Sequence, residues 1–196
     1  MATQEQRKAE TKRKLINAAK KLFDKHGFEE VSVNEIVKKA NVAKGTFYQH
    51  YETKVDILAD VVRDVGEVKF KEALAAVANG APALDILDRF INAQCEWFEA
   101  NEKVAEAIIM AGLRTVGQEL QEKHRHSRVF LAKLMMLAQQ QQVVREELDP
   151  DEIAKVIGSA FVVTVLAWSK NPKPNVLKPS MKQSLDIILN GVKIHD

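Results

Sequence analysis

Residues 32–51 read SVNEIVKKANVAKGTFYQHY, and this stretch carries start and stop signals for two short helices separated by a tight turn. Ser32, with Glu35 three residues later, forms a capping box that starts the first helix. Asn41 tolerates the left-handed backbone conformation and therefore ends it. A second short helix is predicted over 43–51. The pattern is that of a helix-turn-helix.

Helical periodicity continues on both sides of this motif. Apolar residues recur at three- and four-residue steps over 7–26, which predicts an amphipathic helix that Gly27 ends. Thr53, with Asp56 in the following turn, is the N-cap of a long helix that extends to about residue 78. This long helix is predicted to join the motif to the rest of the chain.

The remainder of the chain also has helical period, and no alternating strand with a hairpin turn is apparent. The sequence therefore predicts an all-α fold of about nine helices. The Gln139–Gln142 run is interpreted as the solvated face of a helix. The apolar run 153–168 is shorter than the roughly 20 residues of a membrane span, so a buried helix is predicted there. The further predicted helices cover 83–100, 102–113, 116–146, 150–170 and 180–190.

Charge is distributed unevenly along the 196 residues. The overall net charge is +2, but residues 1–55 contain 12 Lys/Arg against 7 Asp/Glu, whereas 56–196 contain 17 against 20. A basic first quarter indicates that this end meets a polyanion. A single cysteine, Cys95, excludes a disulfide framework. The N-terminus is polar and lacks the apolar core of a secretory signal. Together with the single cysteine, this favours a cytoplasmic protein without a membrane anchor.

The second helix of the motif has the side chains that DNA recognition requires. Its inward positions are Phe47 and Tyr51, four residues apart, which leaves the polar residues facing outward. Lysine neutralises phosphate, hydroxyl groups bind phosphate oxygens, and glutamine reads adenine in the major groove. The alternative is that Tyr48 and His50 pack on neighbouring helices. The outward residues are Lys44, Thr46, Tyr48, Gln49 and His50.

The spacing of these residues resembles the N-terminal DNA-binding domain of TetR-type transcriptional regulators. The resemblance covers about residues 7–66, and two positions depart from it: Asn41 replaces the usual glycine, and Ala43 replaces a frequent serine N-cap. The residues that carry it are Phe23, Gly27, Phe28, Ser32, Val33, Ile36, Ala40, Val42, Lys44, Gly45, Thr46, Phe47, Tyr48, His50, Tyr51, Lys54 and Leu58.

The resemblance implies a homodimeric repressor that binds a palindromic operator. A helix-turn-helix DNA-binding domain at 7–66, with its motif at 32–51, would precede a ligand-binding and dimerisation domain at 67–196. Thr46 and Gln49 would contact bases. The DNA backbone would be contacted by Lys44, Gly45, Tyr48, His50 and Lys54.

The resemblance also implies an effector pocket and a dimer interface in the second domain. The helix over 83–100 is apolar on more than one face, so a pocket is expected beside it, lined by Cys95, Trp97 and Met110. The helices at 150–170 and 180–190 carry more apolar residues than one side of a monomer needs, although an ordinary intrachain core remains the alternative. The predicted interface residues are Ile157, Phe161, Val165, Trp168, Leu185, Ile188 and Leu189.

Enzymatic and metal chemistry are not indicated by the sequence. His124 and His126 lie two residues apart and would point away from each other on a helix, and no acid or cysteine cluster completes a metal site. Neither a nucleophile elbow nor a glycine-rich phosphate loop is present. We therefore expect no cofactor, and a partly apolar effector whose identity is unknown. Two alternatives stay open: a helical small-molecule-binding or catalytic protein without a DNA role, and a DNA-binding activator.

Overall fold

The computed structural model describes residues 3–114 and 125–193, and these residues form nine α-helices. The predicted all-α fold is confirmed. The chain divides into two compact units, one ending at Gly66 and one starting at Glu67. The helices are α1 (Gln4–His26), α2 (Val33–Ala40), α3 (Lys44–Tyr48), α4 (Lys54–Ala78), α5 (Ala83–Ala100), α6 (Glu102–Arg114), α7 (Arg125–Gln140), α8 (Pro150–Ser169) and α9 (Leu177–Val192).

The N-terminal unit packs α1, α2, α3 and the first turns of α4 around one apolar core. Phe47 of α3 is completely buried at its centre. At the end of α1, Gly27 has φ 80°, and the rings of Phe23 and Phe28 meet edge to face with centroids 5.3 Å apart. The other buried core residues are Leu15, Ala18, Ala19, Val31, Ile36, Val37, Ala40, Tyr51, Ile57 and Val61.

The predicted capping box of α2 is confirmed. The Ser32 N–H donates to Glu35 Oε2 over 2.8 Å, and the Glu35 N–H donates to Ser32 Oγ over 3.3 Å. The Ser32 N–H and the Ser32 hydroxyl, which donates to the same Oε2 over 2.7 Å, lower the pKa of the Glu35 carboxyl group, because they stabilise its charged form. Asn41 adopts the left-handed conformation with φ 53° and ψ 51°, and its N–H bonds back to Lys38. The turn between α2 and α3 is thus fixed by local hydrogen bonds.

Helix α3 is shorter than the predicted 43–51. It ends at Tyr48, and the next three residues continue as hydrogen-bonded turns, in which the Tyr51 N–H donates to the Phe47 carbonyl over 2.9 Å. Ala43 supplies no side-chain hydrogen bond at the N-cap. The single helical turn therefore depends on packing around Phe47 for its stability.

The C-terminal unit packs α8 against α6, α7 and α9, and α5 against α6, α7 and α9. Helix α8 starts as predicted, with Asp149 as N-cap and Pro150 at the first helical position. It is long and apolar enough to span a membrane by length and composition alone. Because it contacts three other helices, it is a core helix of this unit.

The helix predicted over 116–146 ends at Gln140, and its part at 116–124 lies outside the described residues. A turn follows, in which Gln142 has φ 57° and Val144 is fully buried. The helix ends there because Gln142 has a positive φ and the Val143 N–H bonds back to the Ala138 carbonyl over 3.1 Å, which is a common way to close a helix.

The interpretation of the glutamine run as a solvated helix face holds only in part, because Gln140 and Gln142 are exposed, whereas Gln139 and Gln141 make hydrogen bonds within the fold. Gln141 Oε1 accepts the N–H of Ala83, and its Nε2 donates to the Ala81 carbonyl, both over 2.8 Å. Gln139 Nε2 donates to the carbonyls of Arg145 and Leu148. Gln141 therefore caps the start of α5 across 58 residues of sequence.

Helix α9 begins at Leu177, three residues before the predicted start, and ends at Val192. Leu177 is fully buried, and its N–H donates to Glu99 Oε1 of α5 over 3.1 Å. A side chain from another helix thus supplies the N-terminal hydrogen bond that no neighbouring residue offers.

Candidate nucleic-acid interface

Helix α3 presents a polar, exposed face around its buried phenylalanine. Lys44, Gly45 and Gln49 are exposed and Thr46 is half-buried, whereas Phe47 is fully buried. A Cβ atom added at Gly45 would meet nothing within 4 Å, so packing inside the unit does not require glycine there. The surface that the fold leaves open at α3 is the one that the sequence assigned to DNA.

Tyr48 belongs to this exposed face. Its side chain is 53% exposed, although its ring touches that of Phe47 edge to face with centroids 5.4 Å apart. The alternative in which Tyr48 is a core residue is therefore wrong. The tyrosine has an apolar base on the domain and a polar end available to an external partner.

His50 lies at the edge of the face and is half-buried, with its ring centroid 6.2 Å from that of Tyr51. Burial lowers the pKa of its imidazole, and the positive charges of Lys8 and Lys12 lower it further. Because the ordinary pKa of histidine is about 6.5, His50 is neutral at pH 7. It is suited to donate one hydrogen bond, and it adds no positive charge to the free protein.

The side chain of Lys54 makes contacts within the N-terminal unit. Its Nζ donates to the carbonyl of Phe28 over 2.7 Å and to that of Glu29 over 3.2 Å, and lies 4.1 Å from the centroid of the Phe28 ring. The side chain thereby ties the start of α4 to the loop between α1 and α2. Its predicted contact with phosphate would compete with these hydrogen bonds.

The positive charge of α1, which contains Arg7, Lys8, Lys12, Arg13 and Lys14 in its first half, is partly neutralised. Lys12 Nζ lies 2.8 Å from Asp60 Oδ2, and Lys14 Nζ lies 2.9 Å from Glu10 Oε1. These pairs reduce the charge that the cluster offers to a polyanion.

The residues predicted to line an effector pocket differ in exposure. Cys95 is fully buried, Trp97 is half-buried, and Met110 is 41% exposed. Burial raises the pKa of the Cys95 thiol to about 11, with a further contribution from Glu99. At neutral pH this cysteine is a protonated, apolar side chain.

Besides the residues predicted to line a pocket, the C-terminal unit contains a cluster of three phenylalanine rings. Phe70 stacks on Phe130 with centroids 4.4 Å apart, and Phe90 meets both rings edge to face at 5.3 and 5.0 Å. The three phenylalanines come from α4, α5 and α7. Their apolar character is visible in the sequence, but their convergence from three helices is not.

Most of the predicted interface residues belong to the core of the protomer. Phe161 and Ile188 are half-buried, and the other five are less than 10% exposed. Helices α8 and α9 pack against each other and against α5, α6 and α7, and the buried side chains offer little surface to a partner. The five are Ile157, Val165, Trp168, Leu185 and Leu189.

The exposed apolar residues of α8 and α9 are different ones. Val156 is 51% exposed, Val163 is 65% exposed, and Ile187 is 68% exposed. Val156 and Val163 are seven residues apart and so lie on one face of α8. Val156 and Ile187 also line an open groove of about 350 Å³ between the two helices. We call Val156, Val163 and Ile187 the α8–α9 apolar face.

No group of three or more His, Cys, Asp or Glu side chains that could hold a metal ion occurs within residues 3–114 and 125–193.

Comparison with known proteins identifies the class of the N-terminal unit. The family model for bacterial regulatory proteins of the tetR family matches residues 15–61. The chain is 24% identical over 163 residues to the A-factor receptor protein of Streptomyces griseus, covering 79% of this chain and 54% of that protein. It is 27% identical over 147 residues to the HTH-type transcriptional regulator UidR of Escherichia coli K12, covering 72% and 70%. The chain thus spans about half the length of the first of these relatives.

A solved structure extends the similarity beyond the matched domain. Thermus thermophilus FadR, a TetR family transcriptional repressor in complex with lauroyl-CoA, superposes with a TM-score of 0.65 at 18% identity, covering 94% of this chain and 96% of FadR. The fold and the exposed face of α3 are those of a helix-turn-helix unit. The N-terminal unit is thus similar to bacterial regulatory proteins of the tetR family, and most of the chain is similar to a transcriptional regulator and, in fold, to a TetR family repressor.

Proposed function

We propose that the chain is a repressor that binds a palindromic DNA operator as a homodimer and is released by a small, partly apolar effector. The observation that carries this proposal is the exposed polar face of α3 on a buried phenylalanine, within the region matched to tetR-family regulators. In a helix-turn-helix, the second helix enters the major groove of DNA while the first crosses the backbone. Helix α3 is this second helix, and we call it the recognition helix.

The residues of the face divide between positioning and reading DNA. Lys44 pairs with phosphate, and the open space around Gly45 allows the sugar-phosphate backbone to come close to the start of α3. Tyr48 and neutral His50 donate hydrogen bonds to phosphate oxygens. Thr46 and Gln49 reach base edges, where glutamine pairs with adenine N6 and N7.

The proposed homodimer is supported by the two-fold symmetry of a palindromic operator and by the exposed apolar surface of α8 and α9. Two recognition helices can occupy successive major grooves only when half-sites lie about 34–36 Å apart, so a two-fold dimer reads a palindrome. The α8–α9 apolar face is the surface that we assign to the partner. Ala160, four residues after Val156 on the same side of α8, is a small residue that permits close helix approach.

The effector is proposed to bind in the C-terminal unit. The Phe70, Phe90 and Phe130 cluster provides apolar lining, as do Cys95 and Trp97 of α5. FadR, with a similar fold, is a repressor in complex with lauroyl-CoA, which has a long apolar chain. Effector binding would displace α4 and change the separation of the two recognition helices. We infer no catalytic step and a cytoplasmic site of action, because UidR, a similar protein, is a transcriptional regulator.

The test starts from random double-stranded DNA. Rounds of binding and amplification should enrich one palindrome, and its affinity should fall steeply with salt because phosphate contacts release counterions. Titration of that operator with and without acyl-CoA thioesters and other partly apolar compounds then tests release. A coupling of 1–3 kcal/mol would change the affinity about 5- to 150-fold.

Transcription from a promoter that contains the enriched site distinguishes repression from activation. Lack of enrichment, or a binding constant independent of salt, would instead favour a helical small-molecule-binding protein. Equal operator affinity across the whole panel of compounds would contradict release by an effector of this class.

Substitution on the α3 face is expected to weaken DNA binding without unfolding the protein. Tyr48→Ala and Lys44→Ala each remove an exposed contact, so we expect operator affinity to fall about tenfold per substitution, with the salt slope of Lys44→Ala reduced by about one. Fluorescence anisotropy measures the binding, and thermal unfolding measures the fold. Lys133→Ala, at an exposed position of α7, is the matched control. A large loss of thermal stability would show instead that the residue belongs to the core.

A further inference from the structure

Asp60 of α4 is the only charged side chain buried in the described part of the chain, at 7% exposure. Its Oδ2 accepts a hydrogen bond from Tyr51 Oη over 3.0 Å and lies 2.8 Å from Lys12 Nζ. Lys12 is on α1, and Tyr51 follows the end of α3. One carboxylate therefore connects α1, α4 and the segment that ends the recognition helix.

Tyr51 transmits this connection to α3. Its ring lies 5.5 Å from that of Phe47, and its N–H donates to the Phe47 carbonyl. The Lys12 ammonium also lies 6.0 Å from the centroid of the Tyr51 ring. The position of Tyr51 thus sets the position of α3, and the hydroxyl bond to Asp60 sets the position of Tyr51.

A buried carboxylate is a costly way to stabilise a core. Removing its charge from water is unfavourable unless partners compensate, and well-packed apolar side chains often stabilise a core as well or better. What a paired carboxylate adds is direction, because it accepts hydrogen bonds along defined lines. Direction matters most where a neighbouring element must be held at a defined angle.

We propose that Asp60 is a positioning residue for DNA recognition, which holds α3 against α1 and α4 through Tyr51 and Lys12 and so sets the discrimination between the operator and other DNA. This proposal rests on the proposed function. Base-edge contacts depend on accurate placement of α3, whereas phosphate contacts provide affinity that is independent of sequence. Loss of positioning therefore lowers operator affinity more than non-specific affinity.

Loss of the ion pair between Lys12 and Asp60 has a second expected effect, which concerns the affinity for non-specific DNA. The Lys12 side chain is 28% exposed, and its charge is paired with Asp60. Neutralising Asp60 leaves that lysine available to phosphate, so non-specific binding should stay equal or increase, with a steeper salt dependence. A residue that only supported folding would, when lost, lower both affinities together.

The experiment compares Tyr51→Phe and Asp60→Asn with the wild-type protein, in the full-length chain. Tyr51→Phe removes one hydroxyl and keeps the ring, and Asp60→Asn keeps the shape of the side chain. Asp64→Asn is the matched control, because Asp64 also joins α4 to α1, through Lys20 at 3.7 Å, but is exposed. Affinities for the enriched operator and for a scrambled duplex of equal length are measured across a salt series.

We expect the operator-to-scrambled ratio to fall about five- to twentyfold in Tyr51→Phe and Asp60→Asn, and by less than about twofold in Asp64→Asn. The double variant Tyr51→Phe/Asp60→Asn should lose less than the sum of the two single variants, because the Tyr51 hydroxyl and the Asp60 carboxylate are directly hydrogen-bonded. Scrambled-duplex binding of Asp60→Asn should equal or exceed that of the wild type.

An unchanged ratio in Tyr51→Phe overturns the proposal, as does a parallel fall of both affinities. If Asp60→Asn does not fold, Tyr51→Phe alone decides. Failure of the wild-type protein to enrich any sequence would overturn the proposed function itself, and this outcome is seen before any variant is measured.

Discussion

Phe47→Ala is expected to lower the free energy of unfolding of the N-terminal unit by about 3–5 kcal/mol. Phe47 is fully buried and contacts the rings of Tyr48 and Tyr51, so truncation leaves a cavity at the centre of this small core. Because domains are stable by only about 5–15 kcal/mol, much of the N-terminal stability would be lost. DNA binding should disappear with it, since α3 has little other support.

Amide hydrogen exchange shows which helices lose stability in Phe47→Ala. Protection should decrease in α1, α2 and α3 and remain in α5, α8 and α9, which belong to the other unit. Phe47→Leu is the control, with an expected cost below about 1.5 kcal/mol. Equal thermal stability of Phe47→Ala and Tyr48→Ala would contradict the division of α3 into a buried and an exposed side.

Local signals explain which features of the fold were predictable. Ser32 with Glu35, Asn41, and Asp149 with Pro150 each fix a helix end through atoms within three residues of one another, so sequence spacing is sufficient. The buried position of Phe47 and the exposed one of Tyr48 likewise follow from helical geometry around one apolar residue.

Features that depend on distant residues were not predictable in this way. The N-terminus of α5 is capped by Gln141, and that of α9 by Glu99, across 58 and 78 residues of sequence. Nothing near either helix start indicates these partners. The hydrogen bonds of Lys54 to the carbonyls of Phe28 and Glu29 were not predictable either, because these partners are distant in sequence.

The spacing of apolar residues on α8 does not determine which of them face a partner. Helix α8 is apolar on several faces, so periodicity does not separate the face that meets its own core from one that meets a partner. Ile157 and Val165 are fully buried in the protomer, whereas Val156 and Val163 on the neighbouring face are exposed. Only the packing of α8 against α6, α7 and α9 distinguishes the two sets.

Val163→Glu combined with Ile187→Glu is therefore expected to dissociate the proposed homodimer. Both side chains are more than 60% exposed in the protomer, so the substitutions should leave its helical content unchanged. In a two-fold interface each substitution occurs twice, which places four carboxylates in an apolar contact. Because like charges brought together cost several kcal/mol, the dimer dissociation constant should rise at least about a hundredfold.

Sedimentation velocity at micromolar protein measures this change, with Met136→Glu as the control, since Met136 is 45% exposed but lies on α7. A monomer can occupy only one half-site, so operator affinity should fall and its dependence on half-site spacing should vanish. Dissociation by Met136→Glu, with Val163→Glu/Ile187→Glu still dimeric, would place the interface on α7. Retention of dimer and operator affinity in both variants would show that neither surface is the contact between protomers.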